Sequence, residues 1–301
     1  MAHEQSRIMS HVASHSSDLP DREADREQGL HERVWRETRR QSRYEHTGVA
    51  VGRALFVGAV LLLWGYASGR WIDHQVLSDP ISVLKALYQL IETGRLWPDL
   101  GQTVLEVVAG YGFGALAAVL VASLFALFPS LEQAMRPILI SIYSIPKVAL
   151  APLIIMWFGL GIAPKIILAA GFVFFIVFMN LIAGIESVNR NHVNIVRVMG
   201  AGRMTILRKI VMPTAVPFLF LGLRLAIPEA MIGAVIGEFI SGSQGLGFLV
   251  YSASNELNTA VSMAALVVLV IVVALGDTLL GLCEKVFLPR QLQQADPRAA
   301  R

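Results

Sequence analysis

The chain has 301 residues, of which 55% are hydrophobic and 16% are charged, with a net charge of +3. An average soluble domain has about 25% charged residues. Charge is also segregated, because residues 1–48 contain eight arginines and nine acidic residues whereas residues 103–129 contain Glu106 alone. This pattern indicates a polar tail joined to a membrane-embedded body. It argues against a soluble protein and, since no basic stripe is interleaved with aromatic residues, against nucleic-acid binding.

The first hundred residues divide into a polar tail and a segment with the first predicted transmembrane helix. The composition of residues 1–48 predicts a disordered tail. The first apolar run, Val49–Ser68, is too far from the start for a cleavable signal peptide and predicts a transmembrane helix, with Arg53 snorkelling to the interface. Residues 49–100 then also contain Ile81–Thr93, whose apolar positions have helical spacing. This stretch predicts an amphipathic helix on the outer surface.

Five further stretches have the length of about twenty apolar residues that a bilayer crossing requires. The second of these five is interrupted by Pro146 and Pro152. We therefore predict an all-α polytopic membrane protein with six transmembrane helices, five of them in a core at residues 101–289, before a tail at 290–301. The five core stretches are Val104–Phe128, Pro137–Phe158, Lys165–Val188, Ala215–Ile240 and Val261–Cys283.

Loop charges predict the orientation. No Lys or Arg occurs between Gly242 and Asn258, whereas basic residues precede the first stretch and follow the fourth and the sixth. By the positive-inside rule, both termini and residues 190–213 are cytoplasmic. The basic residues in question are Arg33, Arg36, Arg39, Arg40, Arg43, Arg190, Arg197, Arg203, Arg208, Lys209, Lys285 and Arg290.

Residues 190–213 form a polar, basic segment between two apolar stretches, called the basic segment below. Gly200 is followed at a fixed distance by Ile210, Met212 and Pro213. This spacing resembles the cytoplasmic "EAA" loop of ABC importer permeases, which docks into a separate ATPase, although Asn194-Ile195-Val196 replaces Glu-Ala-Ala. The alternative is an amphipathic connector resting on lipid headgroups. The residues that the resemblance places in the docking loop are Asn194, Ile195, Val196, Arg197, Gly200, Ala201, Ile210, Met212 and Pro213.

A second set of motifs covers the core. It comprises IPKVALAPL at 145–153, WFGLG at 157–161, Asn180, GLR at 222–224, GE at 237–238, GLG at 245–247 and Asp277. In order and spacing, these resemble MetI-like permeases of the nitrate/sulfonate/taurine/bicarbonate branch. Some riboflavin and thiamine-precursor permeases share the pattern.

That resemblance implies a permease of the bacterial inner membrane that takes part in the import of a small solute, and it implies no catalysis by this chain. Implied partners are two copies of an ABC ATPase, an extracytoplasmic solute-binding protein, and a second permease copy or a homologue. ATP and Mg²⁺ would be bound by the ATPase, and this chain would bind no cofactor or metal. The sequence itself contains no P-loop and no metal-ligand motif. The rival hypotheses are a secondary transporter, although no repeat typical of that class is visible, and a non-transporting membrane scaffold or enzyme regulator.

Polar residues within the predicted spans are costly and usually face a cavity or a partner. Lys147, Asn180, Arg224 and Glu238 are therefore candidates for the translocation path or its gate. Simpler alternatives remain open. Glu238 can be satisfied by a neighbouring helix, Lys147 can snorkel to the interface, and Asn180 can form an interhelical hydrogen bond.

Overall fold

The computed structural model describes residues 52, 55–71, 73 and 76–287. The predicted tails at 1–48 and 290–301 lie outside these residues, as does the start of the first predicted span. The chain divides into two units, residues 1–67 and residues 68–301. The elements of the described ranges are helices, in agreement with the predicted all-α class.

Helix α1 is the described helix of the first unit, and the second unit contains the others. Between α8 and α9 the chain forms a π-helical turn, Leu207–Val211, so that one helical run extends from Arg203 to Ser241. The helices are α1 Leu55–Ala67, α2 Pro80–Glu92, α3 Leu96–Leu127, α4 Pro129–Tyr143, α5 Lys147–Phe158, α6 Ile162–Glu186, α7 Arg190–Val198, α8 Arg203–Ile206, α9 Met212–Ser241, α10 Leu246–Asn255 and α11 Thr259–Phe287.

Four helical runs in the described ranges are long and apolar enough to cross a bilayer. They are Leu96–Leu127, Ile162–Glu186, Arg203–Ser241 and Thr259–Val286, with mean hydropathies from 1.9 to 2.7. Helices α4 and α5 qualify only together and meet at 92°. The described part thus has four or five candidate spans, and the described part of α1, Leu55–Ala67, is shorter than a crossing requires.

The third predicted span, Pro137–Phe158, is not a continuous helix. It breaks between Tyr143 and Lys147, where Pro146 precedes the first residue of α5. Proline lacks the N–H that a continuing helix needs and disfavours helical geometry in the residue before it. The sequence contained this signal, and the break is its physical consequence.

Helix α6 is the centre of the bundle and packs between α3 and α9 through small residues. A side chain at Gly110 of α3 would overlap Ala169 of α6. A Cβ on Gly222 of α9 would lie 2.9 Å from the Cβ of Asn180, and one on Gly233 would lie 2.6 Å from the Cα of Ala169. Close approach of backbones at small residues is a principal source of helix association in membranes.

The same contacts fix the register of the two central helices. Along α9, Gly222, Gly233 and Gly237 meet Asn180, Ala169 and Lys165 of α6, so the two helices are antiparallel. Lys165 therefore lies near one end of the bundle. The basic segment connects the opposite ends of α6 and α9, where Ile206, Leu207 and Val211 pack against Leu127 and Ile185.

Candidate functional site

The basic segment consists of two helices joined by a tight turn. The side chain of Asn189 caps α7 by accepting a 2.9 Å hydrogen bond from the backbone N–H of Asn191. Gly200 follows α7 with φ +88°, a conformation that glycine adopts without strain. The N–H of Ala201 donates to the carbonyl of Val196 at 3.1 Å and closes the turn. A second helix then begins at Arg203.

The basic segment has one side packed on the bundle and one side exposed. Ile206, Leu207 and Val211 are buried, whereas Val198 is 89% exposed and Met199 is 80% exposed. Ile195 is exposed as well. Of the other residues predicted to dock, Asn194, Arg197 and Pro213 are exposed and Val196, Ala201, Ile210 and Met212 are half-buried. Apolar side chains held outward beside basic ones are suited to contact with a partner protein or with lipid headgroups.

A buried polar network lies at the other end of the bundle. It consists of Thr103 and Glu106 of α3, Lys165 of α6 and Glu238 of α9, all buried. The Nζ of Lys165 lies 2.9 Å from the Oε1 of Glu106. The hydroxyl of Thr103 donates to the Oε1 of Glu238 at 2.7 Å. These contacts tie the three central helices together, because buried charges are costly unless they are paired. The Oε2 of Glu106 is buried without a hydrogen-bond partner among the described residues.

The polar network also holds the glycine-rich loop that follows α9. The N–H groups of Leu246 and Gly247 donate to the Oγ1 of Thr103 at 2.8 Å and to the Oε2 of Glu238 at 2.5 Å. A side chain at Gly245, whose φ is +121°, would overlap the Glu238 carboxylate. Glycine is therefore required for this close approach. The geometry corresponds to the alternative in which Glu238 is satisfied by its neighbours.

Sequence reasoning selected Glu238 from this network and missed its partners. The missed residues are Thr103, Glu106 and Lys165, although Glu106 is the lone charge in a long apolar stretch and Lys165 opens another. Both positions carry a signal, because a charge within a span requires a partner. Their pairing was not readable, since 59 residues separate Glu106 from Lys165 and 135 separate Thr103 from Glu238.

Lys147 lies at the bend between α4 and α5. Its Nζ is 4.6 Å from the ring centroid of Tyr143 and 5.4 and 5.5 Å from those of Phe172 and Phe175. These distances are in the range of cation–π attraction. The ammonium therefore rests against aromatic rings of the central helix.

Asn180 and Arg224 occupy separate places. The amide of Asn180 donates to the carbonyl of Ile176 on its own helix at 2.7 Å. Arg224 connects α9 with α11, its Nε lying 2.6 Å from the Oδ1 of Asp277 and its Nη1 3.7 Å from the Oε2 of Glu284. The four predicted path residues thus do not form one cluster.

Comparison with known proteins places these features in a wider context. A family model described as the binding-protein-dependent transport system inner membrane component matches residues 97–293. The riboflavin transport system permease protein RibX of Chloroflexus aurantiacus is 33% identical over 70% of this chain and 78% of its own length. The taurine transport system permease protein TauC of Escherichia coli is 30% identical over 71% of this chain and 80% of its own length. A solved structure of the MetNI methionine ABC transporter, with inward-facing conformations, has a TM-score of 0.55 and 20% identity over 62% of this chain and 94% of its own, which shows a shared fold.

Proposed function

The chain belongs to the family of inner membrane components of binding-protein-dependent transport systems, and on this premise we propose that its basic segment docks a separate ATPase. It is a multi-pass membrane protein and the permease subunit of an ABC importer. ATP hydrolysis belongs to another subunit. The observation that carries the docking proposal is the exposure of Ile195, Val198 and Met199 at one end of a membrane bundle. A short helix with apolar anchors is suited to a groove in a partner.

The helical run Arg203–Ser241 offers a route by which movement of the docked ATPase would reach the far end of the bundle. This run begins in the basic segment and ends at the polar network, with no loop between them. A displacement of the docked segment would therefore reach Glu238 along one continuous helical run about 57 Å long at 1.5 Å per residue. We propose that ATP-driven approach of two ATPases moves this run and opens the polar network toward the outside.

The orientation and the assembly are part of the same proposal. Six transmembrane helices, with both termini in the cytoplasm, place the basic segment inside and the polar network outside, in accord with the positive-inside rule. Two ATPase copies would dock on two permeases, this chain and a second copy or a homologue. A solute-binding protein would deliver the substrate at the side of the polar network.

For the substrate we propose a small solute of the nitrate, sulfonate or taurine type, supported by the likeness to TauC. Riboflavin or a thiamine precursor is the second candidate, because RibX is similar over a comparable share of the chain.

The test is affinity purification of the detergent-solubilised protein from cells that retain its native neighbours, followed by mass spectrometry. We expect a P-loop ATPase and a solute-binding protein in the eluate, and the ligand of that binding protein identifies the solute. Recovery of a homogeneous protein without an ATPase would contradict the proposed function and favour the secondary transporter.

A further inference from the structure

The ammonium of Lys147 is level with the middle of α6. It touches Phe172, which is ten residues from Ile162 and fourteen from Glu186, the ends of α6. At 1.5 Å per residue these separations are about 15 Å and about 21 Å. A hydrocarbon core is about 30 Å thick, so a bilayer centred on α6 would have this ammonium near its middle. Snorkelling to the interface would not account for an ammonium at that depth.

Glu229 of α9 lies at the same depth. The antiparallel register pairs Gly222 with Asn180 and Gly233 with Ala169. Glu229 follows Gly222 by seven residues, and Val173 precedes Asn180 by seven. Glu229 is therefore level with Val173, the residue next to Phe172. The cation of Lys147 and the anion of Glu229 thus lie at one level of the bundle.

Neither charge has an oppositely charged partner within the described part of the chain, although the Lys147 ammonium lies against the rings of Tyr143, Phe172 and Phe175. Both side chains are half-buried, and no ion pair or hydrogen bond joins the Lys147 ammonium or the Glu229 carboxylate to a described residue. The other described charges of the central helices have partners. Lys165 is paired with Glu106 at the end of the bundle, and Arg224, five residues nearer the basic segment than Glu229, is paired with Asp277.

A charge within a bilayer costs several kcal/mol unless it faces water or a partner, so a carboxylate without a described partner at the level of an ammonium that rests on aromatic rings favours a polar passage. We propose that Lys147 and Glu229 line the translocation path at mid-membrane and select solutes that carry both an anionic group and a protonated amine. This inference rests on the proposed function and narrows its substrate class. A simple anion would be attracted by Lys147 and repelled by Glu229, whereas a bipolar solute satisfies both. An uncharged solute such as riboflavin would leave both charges unpaired.

The location of the two side chains is tested by thiol labelling in native membranes, without any need for transport. Lys147→Cys and Glu229→Cys are made in a Cys283→Ser background, which removes the single native cysteine. Cationic and anionic methanethiosulfonate reagents of similar size are then compared. We expect Glu229→Cys, which retains Lys147, to react about tenfold faster with the anionic reagent, and Lys147→Cys to show the reverse preference, as nearby unit charges produce at intermediate dielectric.

The matched control is Ala230→Cys, at a fully buried position adjacent to Glu229, which is expected to remain unlabelled. Equal rates with both reagents, or no labelling at either position, would overturn the proposal. Because labelling needs no ATPase, this result is independent of the purification experiment that tests the proposed function.

The substrate class is tested by ATP-driven uptake through the reconstituted complex, with taurine and ethanesulfonate as probes that differ in the amine. We expect the wild type to import taurine in preference to ethanesulfonate. Glu229→Gln should reduce taurine uptake about tenfold, which corresponds to about 1.4 kcal/mol of lost interaction energy. It should also abolish the preference for taurine over ethanesulfonate. Equal uptake of both probes by the wild type, or of neither, would contradict selection of bipolar solutes.

Discussion

The polar network and the basic segment, at opposite ends of the bundle, differ in what they bury and what they expose. At one end, charged and polar groups are withdrawn from solvent: Lys165 is ion-paired with Glu106, and Glu238 accepts a hydrogen bond from Thr103. At the other end, the apolar side chains of Val198 and Met199 are exposed among basic residues. Buried polar groups are costly to disrupt, whereas exposed apolar groups contribute to association. The polar network should therefore govern stability and closure, and the basic segment should govern docking.

The largest expected effect on stability is at Lys165. Lys165→Met leaves the Glu106 carboxylate buried without its cation and should destabilise the fold by about 3–5 kcal/mol. The measurement is the unfolding free energy of the detergent-solubilised protein. The matched control is Arg136→Met, which removes an ion pair with Glu186 whose side chains are 50% and 47% exposed. Solvent screening limits that loss to less than about 1 kcal/mol. Equal losses in the two variants would refute the comparison.

A second test addresses the fit of the glycine-rich loop on the polar network. A Cβ on Gly247 would lie 2.6 Å from the Oε2 of Glu238, so Gly247→Ala should displace the loop and cost about 1–3 kcal/mol. Gly112→Ala is the control, because a Cβ there meets nothing within 4 Å. The unfolding free energy again provides the measurement. If Gly247→Ala unfolds like its control, the loop is not held as tightly as the hydrogen bonds indicate.

The turn of the basic segment should respond to backbone geometry alone. Gly200 and Gly202 both have open space around an added Cβ, but only Gly200 has a positive φ, +88°. Gly200→Ala should therefore cost about 1–2 kcal/mol of local stability, and Gly202→Ala should be nearly neutral. Protection of the α7 amides in hydrogen exchange distinguishes the two variants. Similar exchange would show that the turn is not conformationally restricted.

The sequence predicted the class of fold and the apolar helices, because apolar length is a local property. The α-helical class and the MetI-like likeness were confirmed, while the count of six spans and the cytoplasmic termini remain predictions. The helical run containing Ala215–Ile240 begins earlier than predicted, at Arg203, because a π-helical turn at Leu207–Val211 joins Arg203–Ile206 to the helix that begins at Met212. The break before Lys147 was marked by proline, but its angle depends on packing.

The candidate sites were predictable to a lesser degree. The basic segment is continuous in sequence, so its motif was recognisable, although which side chains face outward depends on tertiary contacts. The polar network joins Glu106, Lys165 and Glu238 from three helices, and no spacing rule relates residues so far apart. Nothing in the sequence relates Glu229 to Lys147, because only the register of α9 on α6 shows that Glu229 is level with Phe172.

The most direct test of the central claim is retention of the ATPase by a permease altered at its exposed apolar surface. Val198→Glu places a charge at a position that is 89% exposed, so the fold should change by less than about 0.5 kcal/mol. We expect it to lose the co-purifying ATPase. Leu257→Glu is the control, at an exposed apolar position between α10 and α11, at the other end of the bundle. It should retain the ATPase fully. Undiminished retention by Val198→Glu would contradict docking on the basic segment.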